Sequence, residues 1–138
     1  MGYCIIDILP EQVPAGGAGQ YFRIEKFFLE QPQMEVIAGK FSRLLIKLNC
    51  YEDILVSRDG ETWSSNPAPE DISLWMETAW QERKQLSVSL VHSDGLITFS
   101  GDDHYMTFYR PEAGILSLVR QLATSEGLFV WEAPARLI

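Results

Sequence analysis

The chain has 138 residues and a formal net charge of −8, with 46% hydrophobic and 22% charged residues. This composition excludes an intrinsically disordered chain, because it supplies enough apolar side chains to offset the entropy lost on folding. The length suits a single domain spanning residues 1–138, and no apolar run approaches the roughly 20 residues of a membrane-spanning helix, so we expect no membrane contact.

The first third of the chain is predicted to contain a strand, a helix and a second strand. Residues 3–9 are rich in β-formers and end at Pro10, which predicts the first strand. After a Gly/Pro-rich loop, residues 20–31 predict a helix, with apolar side chains at three- and four-residue spacing facing the core: Tyr21, Ile24, Phe27 and Phe28. The apolar stretch 43–49, RLLIKLN, predicts the second strand.

Asp-Gly pairs and a third polar turn predict antiparallel strands in the middle of the chain. Asp-Gly tolerates the positive φ that a tight hairpin turn requires. The pair at 59–60 separates predicted strands at 51–57 and 61–64. A meander of three strands follows at 86–92, 96–100 and 104–110, joined by turns at 94–95 and 101–103.

Two further helices are predicted from proline positions and apolar periodicity. Pro69 suits a first helical position, and the buried stripe through about Arg83 contains Ile72, Trp75, Met76, Ala79 and Trp80. Pro111 opens the last helix, Gly127 ends it, and residues 128–132 form a final strand. We therefore predict an α+β domain with a largely antiparallel sheet of about five to seven strands and about three helices on one face.

The acidic residues are concentrated in one segment. Residues 50–112 hold twelve acids and four bases and so carry the whole net charge. Such a surface repels nucleic acid and attracts a basic protein. The candidate partner-binding residues are two acidic groups with one aromatic anchor each: Glu52, Asp53, Asp59 and Glu61 with Trp63, and Asp94, Asp102 and Asp103 with Tyr105.

Motifs for chemistry are missing from the sequence. The Gly-rich segment 14–19 lacks the spacing of a phosphate-binding loop, and no G-x-S-x-G motif is present. Cys4 and Cys50 are expected to be reduced, partly buried thiols, with Cys50 near the end of an apolar strand. We therefore expect no catalytic residue, no cofactor and no metal, and we expect that the protein is not an enzyme.

Residues 86–132 resemble small immunity proteins that bacteria encode beside polymorphic or contact-dependent toxins. The resemblance lies in SDGLITFSGDDHYMTFYRP, a meander with polar turns and a Pro-started helix, and in ILSLVRQLATSEGLFVWE, a helix, an SEG turn and an apolar strand. It implies a cytoplasmic protein, a monomer or weak dimer, that binds and blocks a cognate toxin. Such toxins are often nucleases with basic active sites, which an acidic inhibitor complements.

Two other functions remain open from the sequence. In size and acidity the chain is similar to secretion chaperones, which are usually dimeric and hold an effector in extended form. The third possibility is a small metal-dependent hydrolase that uses Asp94, Asp102, Asp103 and His104, although their spacing matches neither a zinc signature nor a calcium loop.

Overall fold

The computed structural model describes residues 2–14 and 19–133. Within these ranges the chain forms seven strands and four helices: β1 (Tyr3–Asp7), α1 (Gln20–Leu29), α2 (Gln33–Leu48), β2 (Ile54–Ser57), β3 (Trp63–Ser65), α3 (Pro69–Glu82), β4 (Gln85–Leu90), β5 (Leu96–Ser100), β6 (Tyr105–Tyr109), α4 (Ala113–Ser125) and β7 (Phe129–Glu132). No helix of the described residues is both long and apolar enough to cross a membrane.

All seven strands belong to one antiparallel sheet with the order β3-β2-β4-β5-β6-β1-β7. The predicted meander is confirmed as β4, β5 and β6. β1 lies between β6 and β7, so the first strand joins the two C-terminal strands. The α+β class and the antiparallel sheet are confirmed, with four helices in place of about three.

The strand register defines two ends of the sheet. Asp7 lies opposite both Tyr105 and Phe129, and the turn 101–104 between β5 and β6 carries His104. We call this the His104 end. The turn 91–95 between β4 and β5 carries His92, and we call the opposite end of the sheet the His92 end.

The hydrophobic core lies between one face of the sheet and α2, α3 and α4. Alternate residues of β4 are buried and their neighbours half-buried, as a strand with one covered face requires. The rings of Phe41 in α2, Trp80 in α3 and Phe99 in β5 pack together, with centroids 5.0–6.3 Å apart. This contact fixes two helices against the centre of the sheet.

The predicted strand at 43–49 is wrong, because these residues form the C-terminal half of α2. The buried residues Met34, Ile37, Ala38, Phe41, Leu44, Leu45 and Leu48 recur at helical spacing along the whole element. A window of seven residues contains too few turns to show this period. Cys50 consequently follows a helix and is exposed, whereas Cys4 is buried in β1, and both are free thiols.

The core-facing stripe predicted for α1 is also partly wrong. No residue of α1 is buried, and Ile24 and Phe27 are 50% and 52% exposed. Only Phe28 and Leu29 pack against the core. The helix packs on α2 rather than on the sheet, so much of its apolar surface remains uncovered.

The ends of α3 and α4 follow the predicted signals. Pro69 is the first residue of α3, and Arg83 ends the helix in the left-handed region at φ 54°. Glu112 caps α4, because its carboxylate accepts the backbone N–H groups of Gly114 and Ile115. Gly127 follows α4 at φ 76°, a conformation that glycine adopts without strain.

Candidate functional site

The face of the sheet opposite α2, α3 and α4, which we call the open face, changes character across its width. β4 and β5 contribute small hydroxyl side chains, among them Ser87, Ser89, Thr98 and Ser100. β6, β1 and β7 contribute mainly aromatic side chains, namely Tyr105, Tyr109, Tyr3, Phe129 and Trp131. Strand alternation produces this surface directly, because every second residue must point away from the core.

A polar groove of about 310 Å³ lies on the open face over β5, β6 and β1. Tyr3 and Tyr109 stand at its His92 end, with ring centroids 5.5 Å apart, and Asp103 and Tyr105 stand at its His104 end. Thr98, Thr107 and Ile5 also line it. The polar groove therefore offers hydroxyl groups and one carboxylate to a bound molecule.

A larger aromatic cleft of about 860 Å³ adjoins the polar groove. Tyr21 and Phe22 of α1, Tyr105 of β6 and Trp131 of β7 supply its aromatic lining. The cleft and the groove share Ile5 and Tyr105, so the two cavities are neighbours on the open face. The charged residues among the described lining of the cleft are Asp7 and Glu11, both acidic.

Three elements meet at a buried polar cluster beside the cleft, which we call the His104 junction: Asp7, Tyr21, Glu25 and His104. His104 Nδ1 lies 3.1 Å from Asp7 Oδ1, and His104 Nε2 lies 2.9 Å from the Tyr21 hydroxyl and 3.5 Å from Glu25 Oε2. Asp7 and His104 are 4% and 2% exposed. The junction links β1, the β5–β6 turn and α1, and it holds the first turn of α1 at the His104 end of the sheet.

The charges of the junction set the protonation of His104. Burial alone lowers the pKa of His104, but the hydrogen bond and charge of Asp7, with the charge of Glu25, outweigh burial and raise this pKa above 6.5. With His104 protonated, its one positive charge faces the two carboxylates of the junction. The junction therefore remains net negative.

Neighbouring groups respond to the same negative field. Burial and the charges of Glu25 and Asp7 raise the pKa of Tyr21 far above its usual value. Burial and the charges of Asp103 and Asp7 raise the pKa of Tyr105. Burial also raises the pKa of the Asp103 carboxyl, and the charge of Glu25 adds to this shift. A cation bound here would relieve repulsion that the protein itself does not neutralise.

The sheet regroups the acidic residues proposed from the sequence. Asp53 directly precedes β2 at the His92 end, whereas Asp59 lies in the β2–β3 turn at the His104 end. Likewise, Asp94 lies at the His92 end and Asp102 at the His104 end, on either side of β5. The two acidic sets are therefore Glu52, Asp53 and Asp94 at one end, and Asp59, Glu61, Asp102 and Asp103 at the other.

Asp59 and its neighbours shape a turn. The Asp59 carboxylate accepts the backbone N–H groups of Thr62 and Glu61, each at 2.8 Å, and the hydroxyl of Ser57 at 3.2 Å. These hydrogen bonds, led by that of Thr62, lower the pKa of Asp59. Gly60 adopts φ 81° in the same turn, as the Asp-Gly pair predicts. Glu61 is exposed, and Trp63 begins the edge strand β3 at 39% exposure.

Asp53 belongs to a polar cluster at the His92 end. Its carboxylate lies 2.8 Å from His92 Nε2 and accepts a hydrogen bond from Asn66 Nδ2 at 3.1 Å. The hydrogen bond with His92 lowers the pKa of Asp53 and raises that of His92. Glu52 is half-buried next to Asp53. Both oxygens of the Asp53 carboxylate are therefore engaged by neighbouring side chains of the protein.

The remaining predicted acids differ in their partners. Asp94 lies 3.7 Å from Arg110 Nε, and Asp102 lies 3.3 Å from Arg83 Nη1. Asp103 forms no ion pair with a lysine or arginine in residues 2–14 and 19–133. Of the nine residues proposed from the sequence, Asp103 and Tyr105 line the two cavities.

The metal site considered from the sequence has no geometric support. Asp94 lies at the opposite end of β5 from Asp102 and Asp103, and both ring nitrogens of His104 face the junction. In the part of the chain that the structure describes, no three His, Cys, Asp or Glu side chains are grouped to hold a metal ion.

Four residues of this region were not proposed from the sequence: Asp7, Tyr21, Glu25 and Trp131. One of them left a signal, because Asp7 is a charged residue inside the apolar run of the first strand, and buried charges require partners. The positions of Tyr21 and Glu25 depend on how α1 packs, and Trp131 became relevant once β7 paired with β1.

Comparisons with protein-family models, with curated proteins and with solved structures give no match to this chain. Its function is therefore argued from its own residues.

Proposed function

We propose that the protein is a cytoplasmic immunity protein that binds a cognate basic toxin, such as a nuclease, and blocks it through the open face and the His104 end of the sheet. The observation that carries this proposal is the sign of the charges around the two cavities. The charged residues among their described lining are Asp7, Glu11 and Asp103, with no lysine or arginine.

The shape and composition of the open face favour a protein as the partner. Protein interfaces combine aromatic anchors with a polar, solvent-exposed rim. The rings of Tyr3, Tyr105 and Tyr109 are half-buried or exposed around a groove that also offers hydroxyl groups. A tyrosine at such a site contributes contact area while its hydroxyl group keeps a hydrogen-bond partner.

The acidic residues at the His104 end extend this surface beyond the cavities. Asp59, Glu61, Asp102 and Asp103 lie in the two turns at this end. In these two turns the four acids outnumber the one base, Arg58, although Arg83 beside them pairs with Asp102. An excess of one sign attracts an oppositely charged protein and accelerates its association, and the effect falls as salt increases. A basic toxin is therefore drawn toward the end of the sheet that carries Tyr105 and the aromatic cleft.

The first experiment is capture of the partner with a tagged copy of the full chain in its native cell. We expect one stoichiometric partner that carries a toxic domain, and we expect co-expression of the protein to abolish its toxicity. A captured partner whose toxicity is unchanged by binding would contradict the proposal.

Charge reversal tests the electrostatic part. The double substitution Asp102→Lys and Asp103→Lys should slow association with the captured toxin about tenfold at low salt, with a smaller effect at high salt. The matched control is Glu70→Lys with Glu132→Lys, which changes the net charge equally at exposed positions toward the His92 end. Equal slowing by both pairs would assign the effect to net charge and would remove the His104 end from the interface.

A secretion chaperone is the second candidate, favoured by one observation. α1 exposes Phe22, Ile24 and Phe27 by 72%, 50% and 52%. Exposed apolar side chains of this kind suit an unfolded or extended client. In that case Phe27→Ser should strongly weaken capture of the partner, whereas the Asp102 and Asp103 reversals should leave it intact.

A further inference from the structure

The aromatic cleft has a chemical character that the acidic surface as a whole does not explain. Tyr21, Phe22, Tyr105 and Trp131 contribute aromatic rings to one cavity, together with Asp7 and Glu11. The face of an aromatic ring carries partial negative charge and attracts cations, most strongly where water is excluded. Rings and carboxylates around one cavity therefore favour the same kind of occupant, an organic cation with an apolar stem.

The electrostatic surroundings reinforce this preference. The cleft borders the His104 junction, where Asp7 and Glu25 face one imidazole. Burial, and to a smaller extent the charges of neighbouring carboxylates, raise the pKa of the Tyr21 and Tyr105 hydroxyls, so both rings stay neutral at physiological pH. A bound cation would meet neutral aromatic rings and net negative charge.

The connection between the two cavities favours a polypeptide over a small free cation. The cleft adjoins the polar groove at Ile5 and Tyr105. A residue seated in the cleft can therefore extend its backbone along the groove, where Thr98, Thr107 and the tyrosine hydroxyls can form hydrogen bonds.

We infer that the aromatic cleft receives one arginine or lysine side chain of the bound partner, whose flanking backbone lies along the polar groove. The identity of that partner rests on the proposed function, whereas the preference for a cation rests on the cleft itself. The inference assigns separate roles to the two regions: the acidic turns steer the partner, and the cleft anchors it.

The preference for a cation is testable on the isolated full-length protein with N-acetyl-arginine amide as the probe. The four tryptophans give four indole N–H signals in a ¹H–¹⁵N NMR spectrum. We expect a saturable shift of the Trp131 signal, with little change at Trp63, Trp75 or Trp80. N-acetyl-citrulline amide is the matched neutral probe, because it keeps the shape of arginine and removes the charge.

Two phenylalanines of α1 provide matched variants. Phe22 and Phe27 are both exposed on the same helix, but of the two Phe22 lines the cleft. Phe22→Ala should weaken binding of the arginine probe about threefold, as expected for loss of one cation–π contact, and Phe27→Ala should leave it unchanged. Glu11→Gln should also weaken it, whereas Glu30→Gln should not.

The titrations can support the inference or overturn it. An equal response to the arginine and citrulline probes, no response, or equal effects of Phe22→Ala and Phe27→Ala would overturn it. Tighter, Phe22-dependent binding of tetramethylammonium than of the arginine probe would assign the cleft to a small free cation and overturn the polypeptide part.

Capture of the toxin by these variants distinguishes failure of this inference from failure of the proposed function. If the inference holds, Phe22→Ala weakens capture of the toxin and Phe27→Ala does not. A toxin that is captured and neutralised equally by both variants would leave the immunity function standing and remove the cleft from it. Arginine binding in the cleft of a protein that neutralises no toxin would refute the proposed function while the chemistry of the cleft stands.

Discussion

Two histidine–aspartate pairs lie at opposite ends of the sheet and differ mainly in their exposure to solvent. At the His104 end, the side chains of His104 and Asp7 are 3% and 5% exposed, with 3.1 Å between Nδ1 and Oδ1. At the His92 end, the side chains of His92 and Asp53 are 64% and 58% exposed, with 2.8 Å between Nε2 and Oδ2. The exposed pair is the shorter one, so distance does not rank their importance.

Exposure to solvent determines how much each pair contributes to the stability of the fold. An exposed ion pair is screened by water and salt and contributes little to stability. A buried pair has lost its hydration, so removal of one partner leaves the other buried without compensation. We therefore expect the His104 pair to be essential for local structure and the His92 pair to be dispensable.

The largest expected effect is loss of the buried carboxylate. Asp7→Ala should lower the free energy of unfolding by about 3 kcal/mol or more, because His104 is left buried without its acceptor. The matched change Asp53→Ala should shift the midpoint of urea unfolding very little, since water replaces the exposed carboxylate. Urea unfolding followed by tryptophan fluorescence measures the stability of both variants. Equal losses of unfolding free energy would contradict the expected difference between the buried and the exposed pair.

A smaller difference is expected between the glycines of the two turns. A Cβ atom at Gly101 would overlap the backbone of Ala79 and Arg83 at the end of α3, so Gly101→Ala should cost about 1–3 kcal/mol of unfolding free energy. At Gly95 the same atom would meet the side chains of Leu90 and Phe108 at 3.1 Å, which can adjust. Thermal unfolding should therefore show a larger loss for Gly101→Ala, and the reverse order would contradict a rigid His104 turn.

The smallest effect is the response of the two histidine pKa values to salt. Hydrogen bonding to Asp53 raises the pKa of exposed His92, whereas in buried His104 the effect of Asp7 outweighs that of burial. About 0.5 M NaCl should move the pKa of His92 back toward 6.5 and leave that of His104 nearly unchanged. Titration of the imidazole C–H signals by NMR tests this, and parallel shifts would argue against the difference in burial.

The raised pKa of His104 also fixes the sign of its pH dependence. The folded state binds this proton more tightly than the unfolded state, so the stabilising contribution is complete below pH 6.5 and is lost as pH rises through the folded-state pKa. The difference in unfolding free energy between the wild type and His104→Gln should therefore shrink in alkaline solution. A difference that grows with pH would contradict this assignment.

Local patterns were sufficient for the sheet and for most of the turns. The alternation of Leu86, Val88 and Leu90 with serines predicted β4, and Asp-Gly pairs marked two of the three turns between adjacent strands. Both signals act over a few residues, so they can be recognised without knowledge of the rest of the fold. The stretch 43–49 failed because its helical period appears only over the longer segment 33–48.

The candidate site was less accessible from the sequence. Asp103 and Tyr105 were proposed from charge and turn placement, and the structure places both beside the cavities. The structure groups the acidic residues differently from their order in the sequence. Residues at the two ends of one antiparallel strand are close in sequence but distant in space. The core-facing stripe predicted for α1 was partly wrong, because periodicity identifies the apolar face of a helix but not the element that packs against it.

The sequence by itself determined the class of the fold, the alternation that creates the open face and the acidic excess of the central segment, since each depends on composition or on short-range periodicity. The tertiary structure decided which end of the sheet each carboxylate occupies. It also decided that β1 lies between β6 and β7, and that α1 brings Tyr21 to His104. These contacts join residues far apart in the sequence, such as Cys4 and Glu132 in the pairing of β1 with β7, and packing of the whole chain fixes them.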